Sequence, residues 1–412
     1  MKTHLPILIA GGGIGGLTAA IILAQNGLDV QIFEQSDEFR DIGAGLQLSP
    51  NAMQIFAAVK LSGEISAAGF EPDFAALRHY QTGRPYLKTA LKSICRPRYG
   101  APYIHIHRAD LQQILLSAAK SAGVTFHMNT SVKGYEQSPD DITLETDKSR
   151  FKGRIVMGAD GIKSTISAQI SAAKDSKPAP RFTGQIAWRG TIQASALRSG
   201  LLPPAANVWM GPGKHFVAYY LRGGTLINFI AVEERDDWTE ENWSLKGDPS
   251  KLITAFKGWD TPVTSLIKAC ETPYLWGLFD RLPCEHWQDG RAVLLGDAAH
   301  PMLPFMAQGA AMAIEDAWVL SHKILTPQSN GDNLLKALPQ YADIRRPRTA
   351  RLQKISRSNA KMFHESRPAA KLIRRAKLSL AQSIPALQHM KLGPIYGVNV
   401  VKDYPIKISR PL

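Results

Sequence analysis

The chain has 412 residues, enough for two or so domains with an ample core. Its apolar fraction of 44% and charged fraction of 20% are those of an ordinary soluble globular protein. Cys95, Cys270 and Cys284 are odd in number and far apart, which excludes a disulfide framework or a zinc site and suits a reducing cytoplasm. The net charge of +14 raises nucleic-acid binding, but much of the excess lies in Arg345–Lys377 among apolar residues at helical spacing, Leu352, Ile355 and Met362. That segment reads as a solvated helix face, and no nucleic-acid partner is expected.

The stretch ILIAGGGIGGLTAAIILAQNGLDVQIFE, residues 7 to 34, reads as strand, glycine turn, helix and strand. Gly11, Gly13 and Gly16 have the G-x-G-x-x-G spacing. The first allows a tight turn, the second lets backbone approach a pyrophosphate, and the third lets helix and strand pack closely. The helix start offers unpaired N–H groups to phosphates. Asn26-Gly27 stops the helix, and Glu34 ends the second strand where a carboxylate suits a ribose hydroxyl pair. Clustered glycines argue against a signal peptide or a membrane span here, and no other stretch has the ~20 apolar residues a span needs.

Gly43 and Gly45 give a flexible passage before Ser49-Pro50-Asn51 opens a helix expected to reach about Leu61. Phe70 to Tyr86 looks like a strand pair around Thr82-Gly83. His105 and His107 share one face of a strand with no third ligand nearby, so metal binding is not expected. Arg108 precedes an amphipathic helix that Gly123 ends, followed by a strand over Val124–Met128 and a hairpin of 132–137 with 142–146. RIVMGADGIKST, residues 154–165, is a buried strand, a Gly/Asp turn and a helix. Gln185–Asn242 reads as an inserted antiparallel sheet. AVLLGDAAHPMLPFMAQG then gives a strand, Gly296-Asp297, an irregular turn and a helix opening at Gly309. The tail from about Leu334 is mainly helical, with prolines 339, 347, 368 and 385 read as breaks.

Three motifs in this order, GGGIGG with Glu34, GADG at 158–161 and GDAAHP at 296–301, resemble the single-component FAD-dependent aromatic monooxygenases. GAGLQLSPNA, HRADL and GPGKHFVAYY look most like the salicylate hydroxylase and hydroxybenzoate–hydroxynicotinate hydroxylase branch. The resemblance implies an α/β fold like p-hydroxybenzoate hydroxylase: a Rossmann-like FAD-binding domain with an inserted, mainly antiparallel substrate sheet. Its implied boundaries are 1–74, 98–178 and 279–350 for the FAD part and 75–97 with 179–278 for the substrate part. A helical segment, 351–412, follows.

The same resemblance implies site roles. Gly11, Gly13 and Gly16 would hold the FAD pyrophosphate, Glu34 the ribose, Arg108 the ribityl-phosphate region, and Val132 the adenine. Asp160 would serve FAD and a passing NADH or NADPH. Asp297 would meet the ribityl hydroxyls, Pro304 the reactive flavin face, and Gly309 and Ala310 the pyrimidine oxygen. For Asp160 and Asp297, helix capping is the plainer alternative. The implied reaction uses NAD(P)H and O2 to hydroxylate a small phenolic acid through a flavin C4a-hydroperoxide. His215 is the candidate phenol activator, with Tyr219 sharing its face of a strand. Gln47 and Phe305 stand where pyridine-specific relatives can carry histidine, which disfavours a hydroxynicotinate. Arg189 could pair a substrate carboxylate, and His300 reads as turn structure. The competing reading is an epoxidase or oxygenase acting on a polycyclic, polyketide or antibiotic substrate. The tail segment LIRRAKLSLAQSI could be interfacial, but Arg374, Arg375 and Lys377 interrupt its apolar face, so no membrane partner is expected. A halogenase W-x-W-x-I-P motif and a second G-x-G-x-x-G are both missing, and a monomer or homodimer is expected.

Overall fold

The computed structural model describes residues 5–38, 45–174, 180–235, 245–326 and 332–410; Gly43 and the end of the 185–242 segment lie outside them. The glycine-turn unit follows its pattern. Ile7–Ala10 is a buried strand, Ile14–Gln25 is a helix buried along its length, and Val30–Phe33 runs parallel to the first strand. A helix that is apolar all round must be enclosed. This one packs against the helices Arg108–Ser121 and Gly309–Leu325.

These strands belong to a six-stranded sheet in the order Gln288–Asp289, Ala292–Leu294, Ile155–Gly158, Ile7–Ala10, Val30–Phe33 and Thr125–His127. Every neighbouring pair is parallel except the edge pair that includes Gln288–Asp289. Parallel strands deliver their following loops to one edge. The glycine turn, the Gly158–Gly161 turn and the Gly296-Asp297 turn therefore meet, as ligand-binding loops do in open α/β sheets.

A second, eight-stranded sheet has the order Leu245–Lys246, Tyr274–Asp280, Arg181–Gln193, Leu226–Glu234, Lys214–Leu221, Ala205–Gly211, Phe74–His79 and Pro85–Ala90. It is antiparallel except where Ala205–Gly211 meets Phe74–His79. Side chains alternate across it. Trp188, Trp209, Phe216 and Phe229 pack beneath the helices Pro249–Ala255 and Thr261–Ala269. Ala187, Met210 and Val232 pack on the opposite side with Leu303, Phe305 and Phe363.

Local expectations fail in two places. The helix opening at Pro50 ends at Ala58; Lys60, at φ 63, turns the chain into a second helix, Ser62–Ala68. Pro339 and Pro347 do not break the tail, because both lie inside one helix, Asp332–His364. An interior proline costs a helix about 3 kcal/mol. Here Leu338, Tyr341, Arg345 and Leu352 are buried along that helix, and tertiary packing overrides the local cost. Pro368 and Pro385 instead occupy first turns, of Pro368–Ser383 and Pro385–Tyr396. Pro368–Ser383 leaves Leu372, Ile373 and Leu380 exposed. No described helix is long and apolar enough to cross a membrane.

A buried charge network joins the long helix to the first sheet. Arg345 donates through Nε to Asp316 at 2.6 Å and through Nη1 to Glu315 at 2.6 Å. Arg348 adds a bond from Nε to Glu315 at 2.7 Å. Asp316 also accepts from the Gly296 N–H at 3.0 Å and pairs with His300 Nε2. Burial pushes the Asp316 carboxyl up, but His300 and Arg345 overcome it and hold the group at about 2. A carboxyl depressed from 3.8 to about 2 contributes about 2 kcal/mol at neutral pH. That stability is complete above the ordinary carboxylate range and is lost as pH falls through about 2. Asp316→Asn leaves Arg345 buried with half its charge unpaired, so unfolding by urea should show a loss of about 3 kcal/mol. An unchanged midpoint would refute the network's role.

Candidate active site

A cavity of about 730 Å³ lies between the loop edge of the first sheet and the second sheet. Gly11, Gly13, Glu34, Arg108, Val132, Asp160 and Asp297 line it from the first sheet and its loops. Pro304, Phe305, Gly309 and Ala310 line it from the turn and helix that follow, and Gln47, His215 and Tyr219 complete the predicted set in its wall. Gly16 and Arg189 are outside the wall. A Cβ on Gly16 would stand 2.2 Å from the Gly11 carbonyl oxygen, so this glycine serves helix–strand contact. Arg189 lays its guanidinium over the rings of Tyr274 and Trp276, at 5.5 and 5.2 Å.

The glycine turn has the shape of a phosphate cradle. Gly11 has φ +101, and a Cβ there would meet the Ala159 carbonyl oxygen at 2.5 Å. A Cβ on Gly13 would meet nothing within 4 Å, so its backbone borders open space. The helix behind it has no acid in its first turn. Its N–H groups and positive end therefore face the cavity unneutralised. Glu34 is held by the N–H groups of Gly12 at 2.9 Å and Ser36 at 3.0 Å. Each of its oxygens keeps a lone pair for a hydroxyl.

Asp160 does two things. Its Oδ2 accepts from the N–H groups of Thr165 at 2.8 Å and Ile166 at 3.3 Å, which caps the following helix. Its Oδ1 is buried without a partner, and burial raises the carboxyl against these bonds. Asp297 sits in the tight turn Gly296–Ala298. The residue keeps accessible surface and lines the cavity. Burial raises its carboxyl, while His300 and Arg108 pull it down.

The turn bearing Pro304 and Phe305 is fixed from behind by the long helix. Gln353, Ser356 and Asn359 donate to the carbonyls of Pro301 at 2.8 Å, Leu303 at 2.7 Å and Phe305 at 3.1 Å. The sequence reading passed over these three, although polar residues at a spacing of three on one helix face were a usable signal. Gly309 begins the 17-residue helix Gly309–Leu325, so its unpaired N–H groups border the cavity.

The second sheet forms an apolar floor. Ala75, Leu77, Ala206, Val208, Val217, Ile230 and Val232 line the cavity beside His215. His215 is 1% exposed, and its ring stands 5.0 Å from that of Phe305 and 5.1 Å from that of Phe363. Burial, and then His364, push its pKa well below the ordinary value, so the imidazole is neutral. Its Nδ1 is 2.7 Å from His364 Nε2. Tyr219 donates its hydroxyl to the Gly45 carbonyl at 2.7 Å and so anchors the strand that carries Gln47. Tyr103 donates to Gln47 Oε1 at 2.7 Å. His105 is buried against the Tyr219 ring, and desolvation lowers it to about 3. No group of three or more His, Cys, Asp or Glu among the described residues is placed to hold a metal ion.

Residues 4–356 match the FAD binding domain family. A 3-amino-4-hydroxybenzoate 2-monooxygenase of Streptomyces platensis is 37% identical over 88% of this chain and 90% of its own length. The chain belongs to the FAD-dependent aromatic monooxygenases. A 3-hydroxybenzoate 6-hydroxylase of Aquipseudomonas alcaligenes is 33% identical over 97% of this chain and 100% of its own. The fold matches a solved salicylate hydroxylase substrate complex with a TM-score of 0.83 at 24% identity, covering 100% of this chain and 99% of that one.

The cavity fits the cofactor of this family. The open Gly13 backbone, the acceptor at Glu34, the unpartnered Asp160 Oδ1 and the helix start at Gly309 are the donors and acceptors a dinucleotide flavin needs. Gly13→Val should fill the cradle while leaving the apoprotein folded. FAD retention, read as flavin absorbance per protein after gel filtration, should weaken by at least about tenfold, or about 1.4 kcal/mol. Asp297→Ala should act in the same direction. Full flavin content in both variants would remove these residues from the cofactor site.

Proposed function

We propose that this monooxygenase hydroxylates a single-ring phenolic acid of the hydroxybenzoate type, with His215 as the group that takes up the ring hydroxyl's proton. The observation that carries this reading is the floor itself: an apolar sheet face interrupted by one neutral imidazole. An apolar floor suits a ring, and a neutral imidazole accepts a hydrogen bond from a phenol. Raising the ring's electron density is the protein's contribution to electrophilic hydroxylation. Bound FAD supplies the electrons from NAD(P)H and the activation of O2. Phe305, Phe363 and Leu303 keep water from that region, which favours productive oxygen transfer over decay.

The wall supports further limits. Gln47 and Phe305 stand beside the floor, with no titrating side chain at either position to read a pyridine nitrogen. That favours a benzene ring, in keeping with the hydroxybenzoate named for two relatives. The substrate carboxylate would turn from the floor toward Gln47, Tyr103 and Tyr396 at the cavity wall. One cavity of about 730 Å³ must hold the cofactor and the substrate together, which argues for one ring rather than a polycycle. In this reading residues 75–97 and 179–278 supply the substrate floor. NADH or NADPH docks transiently from outside, since the chain has one dinucleotide fingerprint. Three free cysteines suit a reducing compartment such as the cytoplasm.

The test is NAD(P)H oxidation by the FAD-loaded protein with hydroxybenzoates, hydroxynicotinates and polycyclic phenols, with hydrogen peroxide measured beside product. Hydroxybenzoates should stimulate oxidation most and give little peroxide. His215→Ala should keep its flavin, continue to oxidise NAD(P)H, and lose about 100-fold in hydroxylation with matching peroxide release. Undiminished coupling in that variant would exclude His215 as the proton acceptor.

A further inference from the structure

His215 does not end at the cavity wall. Its Nδ1 lies 2.7 Å from Nε2 of His364, and Nδ1 of His364 lies 3.0 Å from Oε1 of Glu234. The His364 side chain is 1% exposed and that of Glu234 is 56% exposed. A continuous chain of hydrogen bonds thus runs from the apolar floor of the cavity to the protein surface. We propose that His364 and Glu234 form a proton exit for the substrate hydroxyl, carrying to solvent the proton that His215 receives. The proposal rests on the reading of His215 given above.

The surroundings explain why an exit is needed. An isolated base at this position would end as an imidazolium wedged between Phe305 and Phe363, a charge that burial disfavours. A relay avoids it. The ring hydroxyl's proton goes to His215 Nε2, the His215 Nδ1 proton goes to His364 Nε2, and the His364 Nδ1 proton goes to the Glu234 carboxylate and then to water. One proton leaves, both rings end neutral in their other tautomer, and no charge stays in the wall. The depressed pKa of His215 hinders a simple base and suits this concerted transfer. Gln185 fits the same scheme. Its side-chain amide lies 3.2 Å from His364 Nδ1, where it can bond that nitrogen in either tautomer by donating or accepting.

Backbone holds the three segments in register. The Gly213 N–H donates to the His364 carbonyl at 3.0 Å, and the Glu234 N–H donates to the Gly213 carbonyl at 3.0 Å. Two neighbouring charges, Lys214 and Glu365, are turned elsewhere. Lys214 bonds the Ala255 carbonyl at 2.8 Å and Glu233 at 3.3 Å, and Glu365 pairs with Arg367 at 2.9 Å.

The test uses FAD-loaded enzyme and a nitro-substituted hydroxybenzoate whose phenolate absorbs visible light, mixed by stopped flow in H2O and D2O. Wild type should ionise the bound probe with a solvent isotope effect. His364→Gln and Glu234→Gln should bind it with unchanged Kd but form phenolate at least about tenfold more slowly. Glu234→Asp should recover part of the rate. Glu234 is on the surface, so its variants test the exit even if His364→Gln misfolds. Wild-type phenolate rates in Glu234→Gln, with ionisation lost in His215→Ala, would overturn the exit and leave the base assignment standing. Undiminished ionisation in His215→Ala would overturn both.

Discussion

Glu315 and Asp316 are adjacent carboxylates with no exposed surface, and among the described residues Arg345 is the one cation that pairs with both. Paired with it, they become the fixed point from which the site is hung. Asp316 grips the Gly296 N–H and His300, so the turn that presents Asp297 to the cavity is held by a charge. Glu315 accepts from Asn51 at 2.7 Å and from Arg348, whose other nitrogens bond the Pro394 and Ile395 carbonyls. Those bonds set Tyr396 at the cavity. One buried network therefore ties together the third motif, the helix after Ser49 and the helix Pro385–Tyr396. Removing one charged member leaves its buried partner only partly paired, a cost that exceeds what an apolar replacement of the whole group would carry.

The two sheets meet opposite requirements at one cavity. The first contributes loops, helix starts and small residues, which expose backbone N–H groups to an anionic cofactor. The second contributes a flat apolar face, which suits a ring and rejects water. Neither could perform the other's task, because backbone left open to a ligand needs irregular structure and an apolar floor needs a regular ladder. The three bonds from Gln353, Ser356 and Asn359 fix the boundary between them, where Pro304 and Phe305 lie.

What could be read from the sequence was whatever is local. The glycine spacing, the strand ahead of each Gly-Asp turn and the 132–146 hairpin each depend on neighbours within a few residues, and they stand as read. Pro339 and Pro347 were read as breaks because local propensity was the sole guide; burial along the helix reverses that reading. Arg189 looked available because a strand sequence shows which face a residue is on but not which aromatic rings lie over that face. The partners of His215 were invisible for a related reason: His364 is 149 residues away in the chain, and no spacing rule links a strand start to the end of a long helix.

The proline-containing helix also bears on the chemistry. Had it broken at Pro347, Gln353, Ser356, Asn359 and His364 would have had no common axis. Because it runs unbroken to His364, one rigid rod braces the turn bearing Pro304 and Phe305 and places an imidazole behind His215. Distances along such a rod are set by helix geometry rather than by loop flexibility. The proposed relay through a 2.7 Å contact would benefit from that rigidity, since transfer between ring nitrogens fails when the donor drifts beyond hydrogen-bond reach. The Arg345 network that stabilises the rod and the alignment that serves the site are thus consequences of the same packing.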